Sequence, residues 1–118
     1  MGSIPKSKFE VMVKNGEVTP GADLTHLDLR GSNLRSAFLV GANLKFAKLG
    51  GSNLACANFE KADLEGADFE GCDLSYANFR EANLRNANFK DAKMEYTDFR
   101  KAAIDGATFD NIQGQKLM

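Results

Sequence analysis

Every fifth residue from position 24 to position 109 is large and apolar. The series runs Leu24, Leu29, Leu34, Leu39, Leu44, Leu49, Leu54, Phe59, Leu64, Phe69, Leu74, Phe79, Leu84, Phe89, Met94, Phe99, Ile104 and Phe109, with no polar residue at any step. Two positions before each, except at Leu27, stands a small residue, most often Ala, with Ser32, Ser52, Cys72 and Thr97 as mild variants. Between the two lies mostly Asp or Asn, so the unit reads Ala-(Asp/Asn)-(Leu/Phe)-x-x. A period of five fits neither common element. On an α-helix it scatters the large residues around the axis, and on a straight strand an odd period alternates them between faces. The chain therefore has to turn once per unit. In the extended part of a unit the small and large residues point to one side and the Asp or Asn to the other. The last two positions form a corner, where Gly31, Gly41, Gly51, Gly66, Gly71 and Gly106 suit positive φ.

The number of sides follows from the phenylalanines. Phe59, Phe69, Phe79, Phe89, Phe99 and Phe109 recur every ten residues, and Leu64, Leu74, Leu84, Met94 and Ile104 fill the steps between them. Columns of like side chains need an even number of units per coil, and four corners of about 90° close a square. One opposed pair of faces then stacks Phe, and the other stacks Leu, Met and Ile. Charges twenty residues apart lie on neighbouring coils, about 4.8 Å apart, and mostly alternate in sign. Lys45 lies under Glu65, then Arg85, then Asp105; Glu70 lies under Lys90; Lys61 lies under Glu81; Arg80 under Arg100 is the exception.

These units resemble the pentapeptide-repeat family. The resemblance implies an all-β fold, a right-handed quadrilateral β-helix of four to five coils. The repeat spans residues 22–111, flanked by an N-terminal segment, 1–21, and a C-terminal tail, 112–118. Leu27, Phe38, Lys48, Lys93 and Ala103 depart from the consensus in the small or polar slot, while the large slot is intact. Open solenoid ends need caps. Ser7-Lys8-Phe9-Glu10 reads as a capping box opening a short helix, with Phe9, Met12 and Val13 on one face and Gly16 as its stop. That helix is expected over the first coil. Phe38, Val40 and Phe46 stand where outward polar residues belong, and the cap or its linker is expected to cover them; the other reading is a partner patch. The tail offers only Ile112, Leu117 and Met118 to cover the last coil, so a homodimer through the C-terminal end is expected.

Composition narrows the function by exclusion. A formal net charge of −1 lacks both the basic excess of a nucleic-acid binder and the acidic excess of a nucleic-acid mimic. His26 is the only histidine, so no histidine-based triad or multi-imidazole metal site can form within the chain. The many Asp and Asn residues recur because the repeat recurs, which points to backbone bonding rather than calcium binding. No catalytic, cofactor-binding or metal-binding residue is assigned. No apolar run is long enough for a membrane span. Met1-Gly2-Ser3 departs from the myristoylation pattern at Lys6 and reads as a cloning remnant. Cys56 at a corner and Cys72 in a small slot should stay unpaired, which fits a reducing, cytoplasmic location. Ser36, Cys56, Tyr76 and Tyr96 share one corner column, making Tyr76 and Tyr96, with Phe38 and Phe46, the candidate partner surface. The expected function is a non-enzymatic module binding another protein. The alternative implied by the resemblance is a DNA-mimicking binder of type II topoisomerase.

Overall fold

The computed structural model describes residues 4–114. The readings given above to Met1-Gly2-Ser3, Leu117 and Met118 lie outside these residues. From residue 21 onward the chain climbs in coils of twenty residues, because each outward Asx position bridges in parallel to the residue twenty further on. Asp23, Asn43, Asp63, Asn83 and Ala103 centre the first face; Asp28, Lys48, Asp68, Asn88 and Thr108 the second; Asn33, Asn53, Asp73, Lys93 and Gln113 the third; Phe38, Asn58, Asn78 and Asp98 the fourth. Four units per coil is the number read from the phenylalanine spacing.

Each rung is held from both sides. The Leu44 N–H donates up to the Asp63 carbonyl at 2.8 Å, and the Asn43 N–H donates down to the Ala22 carbonyl at 2.9 Å. The corner is a β-turn closed by bonds such as Ala47 N–H to the Leu44 carbonyl at 3.0 Å. Its third residue takes positive φ, as in a type II turn. The turn imposes this whatever the side chain: twelve non-glycine corner residues, Lys61 (φ 61°), Glu81 (φ 60°) and Tyr76 (φ 63°) among them, adopt it beside the glycines. The Asp or Asn of each unit explains itself in the same geometry. Its Oδ1 accepts the backbone N–H two residues on, as with Asn78 and Arg80 at 2.9 Å or Asp68 and Glu70 at 3.0 Å.

Inside, the two phenylalanine columns occupy the second and fourth faces. Phe59, Phe79 and Phe99 stack at 5.0 and 5.3 Å, and Phe69, Phe89 and Phe109 at 4.9 and 5.0 Å. Between the columns the rings meet edge to face, as Phe69 and Phe79 do at 5.6 Å and 84°. Both geometries are those favoured by the ring quadrupole. Polar variants of the small slot are satisfied from the coil below: the Ser52, Cys72 and Thr97 side chains donate to the carbonyls of Leu29, Leu49 and Leu74 at 2.8, 3.0 and 2.8 Å. Leu27, too large for that slot elsewhere, is fully buried in the first coil.

The helix α1 spans Lys6–Lys14 and buries Phe9, with Met12 and Val13 packed against the core. Its end is a Schellman arrangement: Asn15 is the C-cap, the Gly16 N–H (φ 70°) donates to the Val13 carbonyl at 3.1 Å, and the Glu17 N–H to that of Met12 at 2.8 Å. The expected capping box does not form. Pro5 is the N-cap and makes no side-chain cap bond. Ser7 thus lies inside the helix, and Glu10 has another use. The first coil has no coil beneath it, so the Asn33 N–H and the Arg30 carbonyl lack the partners their counterparts enjoy above. The Glu10 carboxylate accepts the first at 2.7 Å, and the Lys6 ammonium donates to the second at 2.9 Å. One turn of helix replaces the missing rung. At the other end the last coil is open among the described residues: Ile104 is 45% exposed, and Phe99, Phe109 and Ile112 are half-buried.

Candidate functional site

The four candidate residues fall into three places. Tyr76 and Tyr96 lie on successive coils of the corner between the third and fourth faces, both at positive φ (63° and 58°), which swings their side chains outward. The rings stack at 5.4 Å and 22°, yet are 58% and 41% exposed. Cys56 and Ser36 continue the column toward the N-terminus with small side chains. The pair thus stands proud of a low corner. Phe46 lies on a different corner, between the first and second faces. It stacks on His26 at 5.1 Å, and a Cβ built on Gly66 would come within 2.5 Å of its ring. His26, the only histidine, is one side of that stack. Phe38 stands in the middle of the fourth face, two coils below Tyr76.

Neither Phe38 (53% exposed) nor Phe46 (47%) is covered by the cap, contrary to expectation. The cause lies in how α1 is pinned. Its bonds from Lys6 and Glu10 reach residues 30 and 33, at the second–third corner and the third face, which holds the helix away from both phenylalanines. Val40 alone is half-buried.

Electrostatically the surface is self-neutralising. Asp28 grips Arg30 at 2.6 Å and Asp98 grips Arg100 at 2.8 Å, each across a single rung. These bonds pull the Asp28 carboxyl down to about 2 and that of Asp98 below the ordinary range. Of the vertical charge stacks, Arg85 reaches Asp105 at 3.6 Å, whereas Lys45 pairs with Asp63 at 3.5 Å rather than with Glu65. Cys56 is exposed and Cys72 buried, and both are free; burial pushes the Cys72 thiol up to about 12. Among the described residues no three His, Cys, Asp or Glu side chains are grouped to hold a metal, and no helix is long and apolar enough to cross a membrane.

One concavity was not anticipated. A groove of about 430 Å³ opens between α1 and the third face, bordered by Glu10, Val13, Lys14, Asn33, Arg35 and Asn53. Its sequence signal is faint, because it depends on where α1 lies rather than on the repeat.

A coil of four five-residue units, an Asx bond on each side and a stacked apolar interior define a right-handed quadrilateral β-helix. The pentapeptide-repeat pattern matches in eight copies over residues 21–54, 37–75, 52–91 and 72–111, and the chain belongs to that family. Among solved structures it is similar to HetL, a pentapeptide repeat protein involved in heterocyst differentiation regulation from the cyanobacterium Nostoc sp. strain PCC 7120. The TM-score is 0.84 and the identity 27%, over 95% of this chain and 46% of HetL. It is also similar to the pentapeptide repeat protein Rfr23 from the cyanobacterium Cyanothece 51142, with a TM-score of 0.75 and 34% identity, over 77% of this chain and 63% of that one. The plasmid-mediated fluoroquinolone resistance protein QnrB1 shares the fold, with a TM-score of 0.61 and 20% identity, over 82% of this chain and 62% of that one. The chain thus spans less than two thirds of the length of each. No curated protein matches it in sequence.

Proposed function

We propose that this chain is a non-enzymatic, rigid interaction module that presents the third–fourth corner to another protein. The observation that carries this reading is the Tyr76–Tyr96 pair, two stacked rings left exposed on a scaffold whose Asx side chains are spent on backbone bonds. Exposed tyrosines offer large contact area at low entropic cost, which is why they are enriched at interfaces. Capture of a partner from native lysate by wild-type chain, and its loss with Tyr76→Ala/Tyr96→Ala at unchanged thermal stability, is the expected result. Capture that ignores the double substitution contradicts it. Cytoplasmic residence belongs to the same proposal and accords with the exposed thiol of Cys56.

The DNA-mimic reading, a binder of type II topoisomerase, draws on the fold shared with QnrB1 and is disfavoured by charge. A mimic needs acidic stripes along the axis, whereas here Arg85 answers Asp105 and Asp98 is tied to Arg100. Inhibition or protection of purified gyrase by the chain would reverse this ranking. Self-association is proposed separately, through the last coil, where Ile104 and Phe109 leave apolar surface uncovered among the described residues. Phe109→Lys should turn a dimer into a monomer by light scattering; an unchanged mass disposes of that contact.

A further inference from the structure

We propose that the groove between α1 and the third face is a docking site for an acidic, extended peptide segment of a partner protein; this rests on the interaction-module reading and names the partner's chemistry. The groove of about 430 Å³ adjoins a second of about 300 Å³ that shares Glu10, Lys14 and Asn33, giving an elongated channel rather than a round pocket. Together they reach the range in which ligand sites fall.

The channel is rich in donors. Lys14 and Arg35 border it, and neither makes an ion pair among the described residues. The carboxylate that borders it, Glu10, is committed through Oε2 to the Asn33 backbone N–H. The repeat decides what the two asparagines offer. Oδ1 of Asn33 accepts the Arg35 N–H at 3.4 Å and Oδ1 of Asn53 that of Ala55 at 3.1 Å. With the oxygens thus engaged, each side-chain NH₂ is the group left to present outward. An Asp in the same slot presents a second carboxylate oxygen instead, so Asn or Asp sets the polarity of a rung without changing the fold. On the first and second faces the NH₂ groups of Asn83 and Asn88 are absorbed by Asp63 and Asp68 of the coil below, at 3.1 and 3.2 Å. On the third face Asn53 has Asn33 below it and Asp73 above it; Oδ1 of Asp73 accepts the Ser75 N–H, and among the described residues no hydrogen bond joins Asp73 to the Asn53 NH₂. Val13 and the exposed Val11 add apolar contact along the helix side. Two free cations, two amide donors and an apolar flank fit carboxylates spaced along an extended chain, with occasional aliphatic residues between them.

The test uses the full chain and a fluorescein-labelled, end-blocked peptide of alternating glutamate and leucine, read by anisotropy at low salt. Saturable binding is expected, while the same peptide with lysine for glutamate does not bind. Arg35→Glu and Asn53→Asp should each weaken binding, by roughly three- to tenfold for a partly exposed contact. Asn53→Asp keeps the Asx bond, as Asp63, Asp68 and Asp73 do in their own rungs, so an unchanged melting temperature certifies the fold. Lys101→Glu, at a distant corner where Glu81 already occupies the column, should change nothing. Equal weakening by Lys101→Glu, full displacement of the peptide by inorganic phosphate at matched concentration, or no binding by the wild-type chain each overturns the proposal. Should the last occur while tyrosine-dependent capture of a partner persists, the groove falls and the interaction-module reading stands.

Discussion

At the scale of single residues, the corner is where the repeat stores its strain. A left-handed conformation costs a non-glycine residue about 1–2 kcal/mol, and this chain accepts that cost at twelve corners because the turn closes every coil. Two glycines separate the backbone effect from the steric one. Around Gly71 (φ 68°) a Cβ would meet nothing within 4 Å, so Gly71→Ala should lower stability by about 1 kcal/mol through backbone strain alone. At Gly66 (φ 68°) a Cβ would strike the exposed Phe46 ring at 2.5 Å; the ring has to swing aside, so Gly66→Ala should cost a little more than Gly71→Ala and break the Phe46–His26 stack. Denaturant midpoints of the two variants check the difference; equal losses would contradict the steric account. The cysteines give a second check at this scale. Ellman's reagent should titrate one thiol in the native chain, Cys56, and a second, Cys72, only on unfolding.

At the scale of elements, the five-residue period was enough to read the coil, its four sides and the paired phenylalanine columns. Small, Asx and large slots are local consequences of a turn repeated every unit, so each unit carries its own evidence. The helix was legible only in part. Its buried face, Phe9 with Met12 and Val13, and its stop at Gly16 follow from spacing and from φ, but its start does not. Ser7 and Glu10 have the spacing of a capping box, and the competing demand came from a backbone N–H of Asn33, more than twenty residues away, which no local pattern reveals. The same long-range placement explains why coverage of Phe38 and Phe46 was expected and not found. It predicts that Glu10→Ala will destabilise the first coil by about 1 kcal/mol, the cost of an edge N–H deprived of its partner. Hydrogen exchange should show faster opening around residues 21–40 than around residues 61–80. Uniform exchange in both would mean that α1 is not the structural cap of the rod.

At the scale of the whole molecule, the repeat makes a stiff rod, and the proposed partner surfaces lie where the repeat is interrupted. The Tyr76–Tyr96 pair was legible because a column of corner residues can be read by counting in twenties. The groove beside α1 was not, because it arises between the cap and the rod. The chain aligns with 46% of HetL, and a solenoid of this kind can extend by adding coils. The chain's own partner is therefore best sought through its surface. The most direct measurement is site-specific photocrosslinking in native lysate, with p-benzoylphenylalanine replacing Tyr76 in one sample and Lys101 in another. A discrete adduct from position 76 that is absent from position 101 is the predicted result; no adduct from position 76, or identical adducts from both, would contradict a partner-binding role for the tyrosine corner.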